Sequence, residues 1–170
     1  RAVYQRTLRG TIAVLLVVAA ISVLVATLWM PVLQIYGSSM SPTLEAGQIV
    51  VSVKTNQLKT GEVVAFWQGN KLLVKRVIAG PGQWVDIDMD GNVTVDGKEL
   101  TEDYLDVKAL GNCDVELPHQ VEESRWFLMG DNRDVSVDSR SAAIGDVSKD
   151  QIEGKIVFRI WPLKEFGSMQ

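Results

Sequence analysis

Hydrophobic and polar positions follow one rule before residue 45 and another after it. Between Arg9 and Glu45 no charged residue occurs, and within that gap Thr11–Met30 is broken only by Thr11, Ser22 and Thr27. Apolar side chains here fall on every face, so the periodicity predicts a helix with no polar side. Twenty residues at about 1.5 Å each give roughly 30 Å, the thickness of a bilayer's hydrocarbon core. A cleavable leader should have an apolar stretch of only about 7–15 residues, so a retained anchor is the better reading. Pro31 ends the helix, and Trp29 sits where an interfacial aromatic belongs.

After Gly47 the apolar residues come in short β-branched runs between turn residues. Gln48–Lys54, Gly61–Trp67, Lys71–Ala79, Trp84–Met89, Asn92–Gly97, Arg125–Gly130 and Lys155–Trp161 read as strands. Turn signals stand at Gln68–Asn70, Gly80–Gly82 and Asp90–Asn92. The expected class is mostly β: an N-terminal transmembrane helix followed by an antiparallel domain of packed sheets or an open barrel. The expected division is an anchor with its basic flank over 1–31 and a β domain over 32–170. Residues 103–123 look least strand-like and are read as an excursion.

Charge refines this picture. The chain carries 17 basic and 21 acidic residues, a net of −4; without Arg1, Arg6 and Arg9, 14 basic residues face 21 acidic ones, a net of −7. A domain so acidic argues against nucleic-acid binding. Three arginines before the apolar run and none just after it predict a cytoplasmic N-terminus and an exported β domain. The chain opens on Arg1, which suggests that the natural protein begins slightly earlier. One cysteine, Cys113, excludes an intrachain disulfide. With one histidine, His119, neither a zinc site nor a Ser-His-Asp triad has support. No metal or cofactor is expected.

Three stretches bear candidate chemistry. YGSSMSPTL (Tyr36–Leu44) offers Ser38, Ser39 and Ser41 with no histidine nearby. Taken alone it reads as a solvated turn. In KLLVKRVIA, Lys75 interrupts a strand, with Leu73 and Val77 expected on its own face and Arg76 on the opposite one. Such a lysine usually snorkels; if desolvated instead, its pKa falls from about 10.4 and the neutral amine could take a serine's proton. GDNRDVSVDSR (Gly130–Arg140) reads as a surface loop or as one bracing a site from behind. Periodicity does not choose among the serines.

Together, S-M-x-P-T-L at Ser39–Leu44, K-R-V-x-x-x-P-G at Lys75–Gly82 and G-D-N-R-x-x-S-x-D-S-R at Gly130–Arg140 resemble bacterial type I signal peptidases, of the Gram-positive type with one anchor. The resemblance implies a membrane-bound endopeptidase that cuts signal peptides after small residues, with a Ser-Lys dyad of Ser39 as nucleophile and Lys75 as general base. It implies Ser136 as the hydroxyl orienting the amine, Asp138 with Arg140 as an ion pair behind it, and Asp131 and Arg133 as bracing residues. It implies the Ser39 N–H as the oxyanion donor; Gly37 stands where some members add a serine hydroxyl, so the hole would rest on backbone or water. The substrate would add as a strand along Ile35, Tyr36, Gly37, Met40, Leu44, Leu73 and Val74. Implied partners are secretory preproteins and the lipid bilayer, with the protein-export translocon as a further candidate.

Three positions depart from the family pattern: Gln48, Glu62 and Gln83 replace aspartates common there, which puts turn capping in question. Nine extended residues past Met30 reach at most about 30 Å, so Ser39 would work close to the membrane. Trp67 and Trp161 are read either as interfacial aromatics or as core. Two alternatives keep the resemblance and change the function: a catalytically silent relative acting as an assembly chaperone for pilus or surface proteins, which should lack the serine or lysine, and a self-cleaving repressor, which should carry a DNA-binding domain.

Overall fold

The computed structural model describes residues 2–55 and 57–169, without the side chains of Ala2, Val3 and Arg6. Of the basic flank, Arg1 and the Arg6 side chain therefore lie outside the described residues. Helix α1 spans Ala2–Trp29, and every residue of its stretch Thr7–Trp29 is exposed. Within Thr11–Trp29 the three polar side chains close on the helix itself. Thr11 Oγ1 donates to the Thr7 carbonyl (3.1 Å), Ser22 Oγ to Val18 (2.8 Å) and Thr27 Oγ1 to Leu24 (2.9 Å), so each hydroxyl is satisfied without water.

The chain leaves the helix at Pro31, whose carbonyl accepts the Ser52 N–H (2.9 Å) and tethers the helix to the β domain. The strands, in order, are β1 (Val32–Gln34), β2 (Ile49–Val53), β3 (Val63–Gln68), β4 (Lys71–Ala79), β5 (Trp84–Ile87), β6 (Val93–Val95), β7 (Lys98–Glu99), β8 (His119–Gln120), β9 (Arg125–Met129), β10 (Val147–Ser148), β11 (Ile152–Trp161) and β12 (Gly167–Ser168). They form a large sheet ordered β1-β2-β11-β3-β4-β9-β10, with β12 beside β11, and a small sheet ordered β7-β6-β5-β8. Every pairing is antiparallel, and neither sheet closes into a barrel. All seven expected strands occur. The two- and three-residue strands β1, β7, β8, β10 and β12 escaped the pattern because alternation needs at least four residues to register.

Strand alternation divides the core. In β3, Val63 and Ala65 join Ile35, Met40, Leu44, Val50 and Ile156, whereas Val64 and Phe66 pack with Val77, Trp126, Leu128 and Val147. A third cluster, including Ile78, Val85, Ile87, Phe127 and Met129, joins the small sheet to the large one. The small sheet begins at Trp84, before the excursion, which contributes only β8 to it. Trp67 and Trp161 are not core residues: they are 42% and 52% exposed.

The departures at Gln48, Glu62 and Gln83 do not leave turns uncapped. The Gln48 side chain accepts the Glu45 N–H (3.1 Å), Glu62 accepts Lys59 (3.0 Å) and Gln83 accepts Gly80 (2.8 Å). Each longer side chain reaches back three residues to its turn.

Candidate active site

The loop between β1 and β2 carries YGSSMSPTL. It is anchored from beneath by Met40 and Leu44, 2% and 0% exposed, while Ser39 stays partly accessible. Gly37 precedes the serines with φ of +78°, a left-handed conformation that favours glycine. From the other side, the turn after β9 grips the same loop: the Asn132 N–H donates to the Ser39 carbonyl (3.0 Å), and Asn132 Nδ2 donates to the Ser38 carbonyl (3.2 Å). Gly130 must be glycine for a related reason. A Cβ there would run into the Ser136 side chain and the Ser39 carbonyl.

Strand β4 supplies the second group. Leu73 and Val77 share one core cluster, as their common face with Lys75 requires. Lys75 is 3% exposed, and its Nζ lies 2.7 Å from Ser39 Oγ, a contact spanning 36 residues of sequence. Among the described residues, Lys75 has no carboxylate within ion-pair distance. Burial pushes its pKa down to about 8; Arg140 adds to this, while Asp138 and Asp131 pull upward.

The bracing loop divides its charges among different partners. Asp138 accepts Arg140 Nε and Nη2, both at 2.9 Å, and the Gly130 N–H at 2.9 Å. Burial works to raise the Asp138 pKa, but Arg140 and the Gly130 N–H hold it below the usual carboxylate range. Arg140 also donates to the carbonyl of Leu110 (2.6 Å). Ser136 is buried beside Asp138, yet its Oγ makes no hydrogen bond of normal geometry, with Lys75 or any other described group. Asp131 and Arg133 do not pair with one another: Asp131 takes Arg76, and Arg133 takes Glu102.

A cleft of about 310 Å³ runs beside the serine, lined by Val32–Gly37, Ser39, Met40 and Leu72–Lys75. It holds Ile35, Tyr36, Gly37, Met40, Leu73 and Val74 of the expected wall. Leu44 is outside it, fully buried in the core. Val32, Leu33, Gln34 and Leu72 were missed; a three-residue strand and its neighbour across the cleft carry no signal of their own.

A family model described as signal peptidase, peptidase S26, matches residues 8–161. The chain belongs to the signal peptidase family. Curated relatives agree. It is 39% identical to signal peptidase IB of Staphylococcus aureus (strain COL) over 78% of each chain, and 32% identical to signal peptidase I of Bacillus licheniformis over 90% of this chain and 88% of the relative. Among solved structures, a signal peptidase I from Enterococcus faecalis V583 matches 60% of this chain and 98% of its own at 25% identity, with a TM-score of 0.49. As a member of this family the chain is a peptidase of signal peptides.

In this signal peptidase the remaining chemical residues stand apart from the cleft. Half-buried Cys113 has its Sγ 3.8 Å from the Val115 carbonyl, and burial raises its thiol pKa. His119 Nε2 lies 3.0 Å from Asp146 Oδ1, and its ring tilts against Phe127. Among the described residues no group of His, Cys, Asp and Glu is arranged to hold a metal ion. Sequence reasoning also missed Thr43, Arg76, Glu102 and Tyr104. Arg76 was assigned only a face; the signal that could have found it is two adjacent cations inside one apolar strand.

Proposed function

We propose that this protein is a single-pass membrane endopeptidase that removes signal peptides from exported preproteins by a Ser-Lys dyad, cutting after Ala-x-Ala-type sites. The 2.7 Å approach of Lys75 Nζ to Ser39 Oγ, with the amine buried, is the observation that carries the reading. Residues 1–31 form the anchor with its cytoplasmic basic flank, and residues 32–170 form the catalytic domain outside.

In the reaction, neutral Lys75 removes the hydroxyl proton as Ser39 Oγ adds to the carbonyl carbon before the cut. The Ser39 N–H, which donates to no acceptor among the described residues, is free to stabilise the oxyanion. Lysinium then returns the proton to the leaving amine, and the new N-terminus of the mature chain departs. Water, deprotonated by the same amine, hydrolyses the acyl-serine. Asp138 and Arg140 position this pair from behind, Asp131 and Arg133 brace the loop, and Ser136 is assigned to orient the amine. The cleft residues Ile35, Tyr36, Gly37, Met40, Leu73 and Val74 take the substrate strand, and Leu44 supports them from the core. The lipid bilayer holds the enzyme where preproteins emerge, beside the export translocon.

The test is cleavage of a preprotein panel by the detergent-solubilised protein, with sequencing of the new N-termini. Cuts after Ala-x-Ala are expected, and Ser39→Ala should lower kcat by more than about a thousandfold with the fold kept. Because the neutral amine is the active form, kcat/KM should rise with pH up to about 8 and level off above it. A Ser39→Ala variant with wild-type turnover, or a rate flat from pH 8 down to about 5, would overturn the dyad.

A further inference from the structure

Arg76, Arg133 and Arg140 are buried around the Ser39–Lys75 pair, and two of them end on one short segment that the chemistry above does not use. Arg133 Nη1 and Nη2 donate to the two oxygens of Glu102 (3.3 and 2.5 Å), while its Nε donates to the Gly130 carbonyl (3.2 Å). Glu102 is itself buried, and its Oε1 accepts the Tyr104 hydroxyl (3.0 Å). The Tyr104 ring then stacks on the Arg76 guanidinium, 3.8 Å from its centroid.

Arg76 carries the connection onward. Its Nε donates to Asp131 Oδ1 (2.8 Å), its Nη1 to the Gly61 carbonyl (2.6 Å) and its Nη2 to Asp131 Oδ2 and Thr43 Oγ1. Asp131 Oδ2 also accepts the Thr43 hydroxyl, on the loop that holds Ser39. One segment therefore reaches the catalytic pair by two routes. Through Arg133 it fixes the Gly130 carbonyl, in the turn packed against Ser136 and the Ser39 carbonyl. Through Tyr104 it holds Arg76, the strand neighbour of Lys75, and with it Asp131 and Thr43.

We infer that Glu102 and Tyr104 are positioning residues of the peptidase, a clamp that sets the Ser39–Lys75 separation from the far side of Arg76 and Arg133. The inference rests on the dyad reading above. Its physical basis is that buried charge-assisted pairs and a desolvated cation–π stack have few alternative geometries, so a two-route connection transmits position and not merely stability. Displacing a nucleophile by a fraction of an ångström costs turnover while leaving the substrate cleft, and hence KM, intact.

The experiment uses the full-length enzyme in detergent with a preprotein substrate. Tyr104→Leu removes the stack, Tyr104→Phe keeps the ring on Arg76 and loses only the hydroxyl bond, and folding of each is checked by circular dichroism. Expected is a loss of kcat for Tyr104→Leu of roughly ten- to a hundredfold at unchanged KM, largely rescued in Tyr104→Phe. Wild-type kcat in folded Tyr104→Leu, a change confined to KM, or an equal loss in Tyr104→Phe would each overturn the clamp. Should Tyr104→Leu not fold, Glu102→Asp carries the test. It keeps the charge but shortens the reach to Arg133, and is expected to lower kcat alone; an unchanged kcat there overturns the inference. Ser39→Ala and Lys75→Ala run alongside. Activity in either defeats the dyad itself, whereas inactive controls beside unaffected Glu102 and Tyr104 variants defeat only the clamp.

Discussion

Strand β4 places two cations side by side, Lys75 and Arg76, each 3% exposed, and gives them opposite environments. On one face Lys75 meets a serine hydroxyl and, among the described residues, has no carboxylate within ion-pair distance. On the other, Arg76 is held bidentately by Asp131, with Gly61, Thr43 and Tyr104 completing its surroundings. Burial is the same in both, so burial alone does not make a base. The partner decides what burial does: Lys75, with no carboxylate in ion-pair contact among the described residues, has its pKa pushed down to about 8, whereas Arg76 is pinned in place by Asp131. Adjacent positions of a strand point to opposite faces, which lets one element serve both purposes 3.5 Å or so apart along the backbone.

The comparison can be broken most severely at Lys75. Lys75→Arg keeps the charge but cannot deprotonate at working pH, so cleavage should fall by more than about a thousandfold. A preprotein assay reads this, and appreciable turnover would mean that loss of the proton is not what the site requires. Next in size is Arg76→Ala, which strands Asp131 buried and unpaired and should cost about 3–5 kcal/mol in denaturant unfolding of the folded domain. A cost near zero would show the pair to be replaceable.

Lys75→Met moves stability the other way. With a folded pKa of about 8 against 10.5 when free, the charged amine is penalised in the native state wherever pH lies below about 8. The variant should therefore be more stable at neutral pH, by at most about 3 kcal/mol. The wild type should regain that difference as pH rises from about 8 to 10.5, since the unfolded chain holds the extra proton in that window. Paired melts at pH 7 and 10 check it, and a less stable Lys75→Met at pH 7 would contradict the desolvation argument. The smallest effect belongs to an exposed pair. Arg125 and Glu122 meet at 2.8 Å with side chains 40% and 67% exposed, and Glu122→Ala should change stability by less than about 1 kcal/mol. A larger loss would mean that solvent exposure is not what separates this pair from Arg76–Asp131.

The Ser39–Lys75 contact was legible in large part because motif and strand period agree at Lys75. Alternation gave its face, and the resemblance singled out Ser39 among three serines. The charges behind them were only half legible. Asp138 and Arg140 lie two residues apart and pair with each other, but Asp131 and Arg133, with the same spacing, do not. Their partners come from β4 and from Glu102, segments whose approach is fixed by the sheet order and not by local sequence. Ser136 was read as the hydroxyl orienting the amine; in this structure it is buried beside Asp138 and makes no hydrogen bond of normal geometry to Lys75. Leu44 was read as cleft wall, but it is fully buried among Ile35, Met40, Val50 and Ile156 and does not line the cleft.

By itself the sequence determined the apolar span, the antiparallel β class and the serine and lysine as chemical candidates, since each depends on composition or on periods of a few residues. Only tertiary structure decided which carboxylate neutralises which arginine and how the small sheet begins at Trp84. It also decided that Glu102 and Tyr104 belong to the surroundings of Lys75 and Ser39. Those outcomes depend on which strand edges meet across long stretches of chain, where local pattern carries no information about distance.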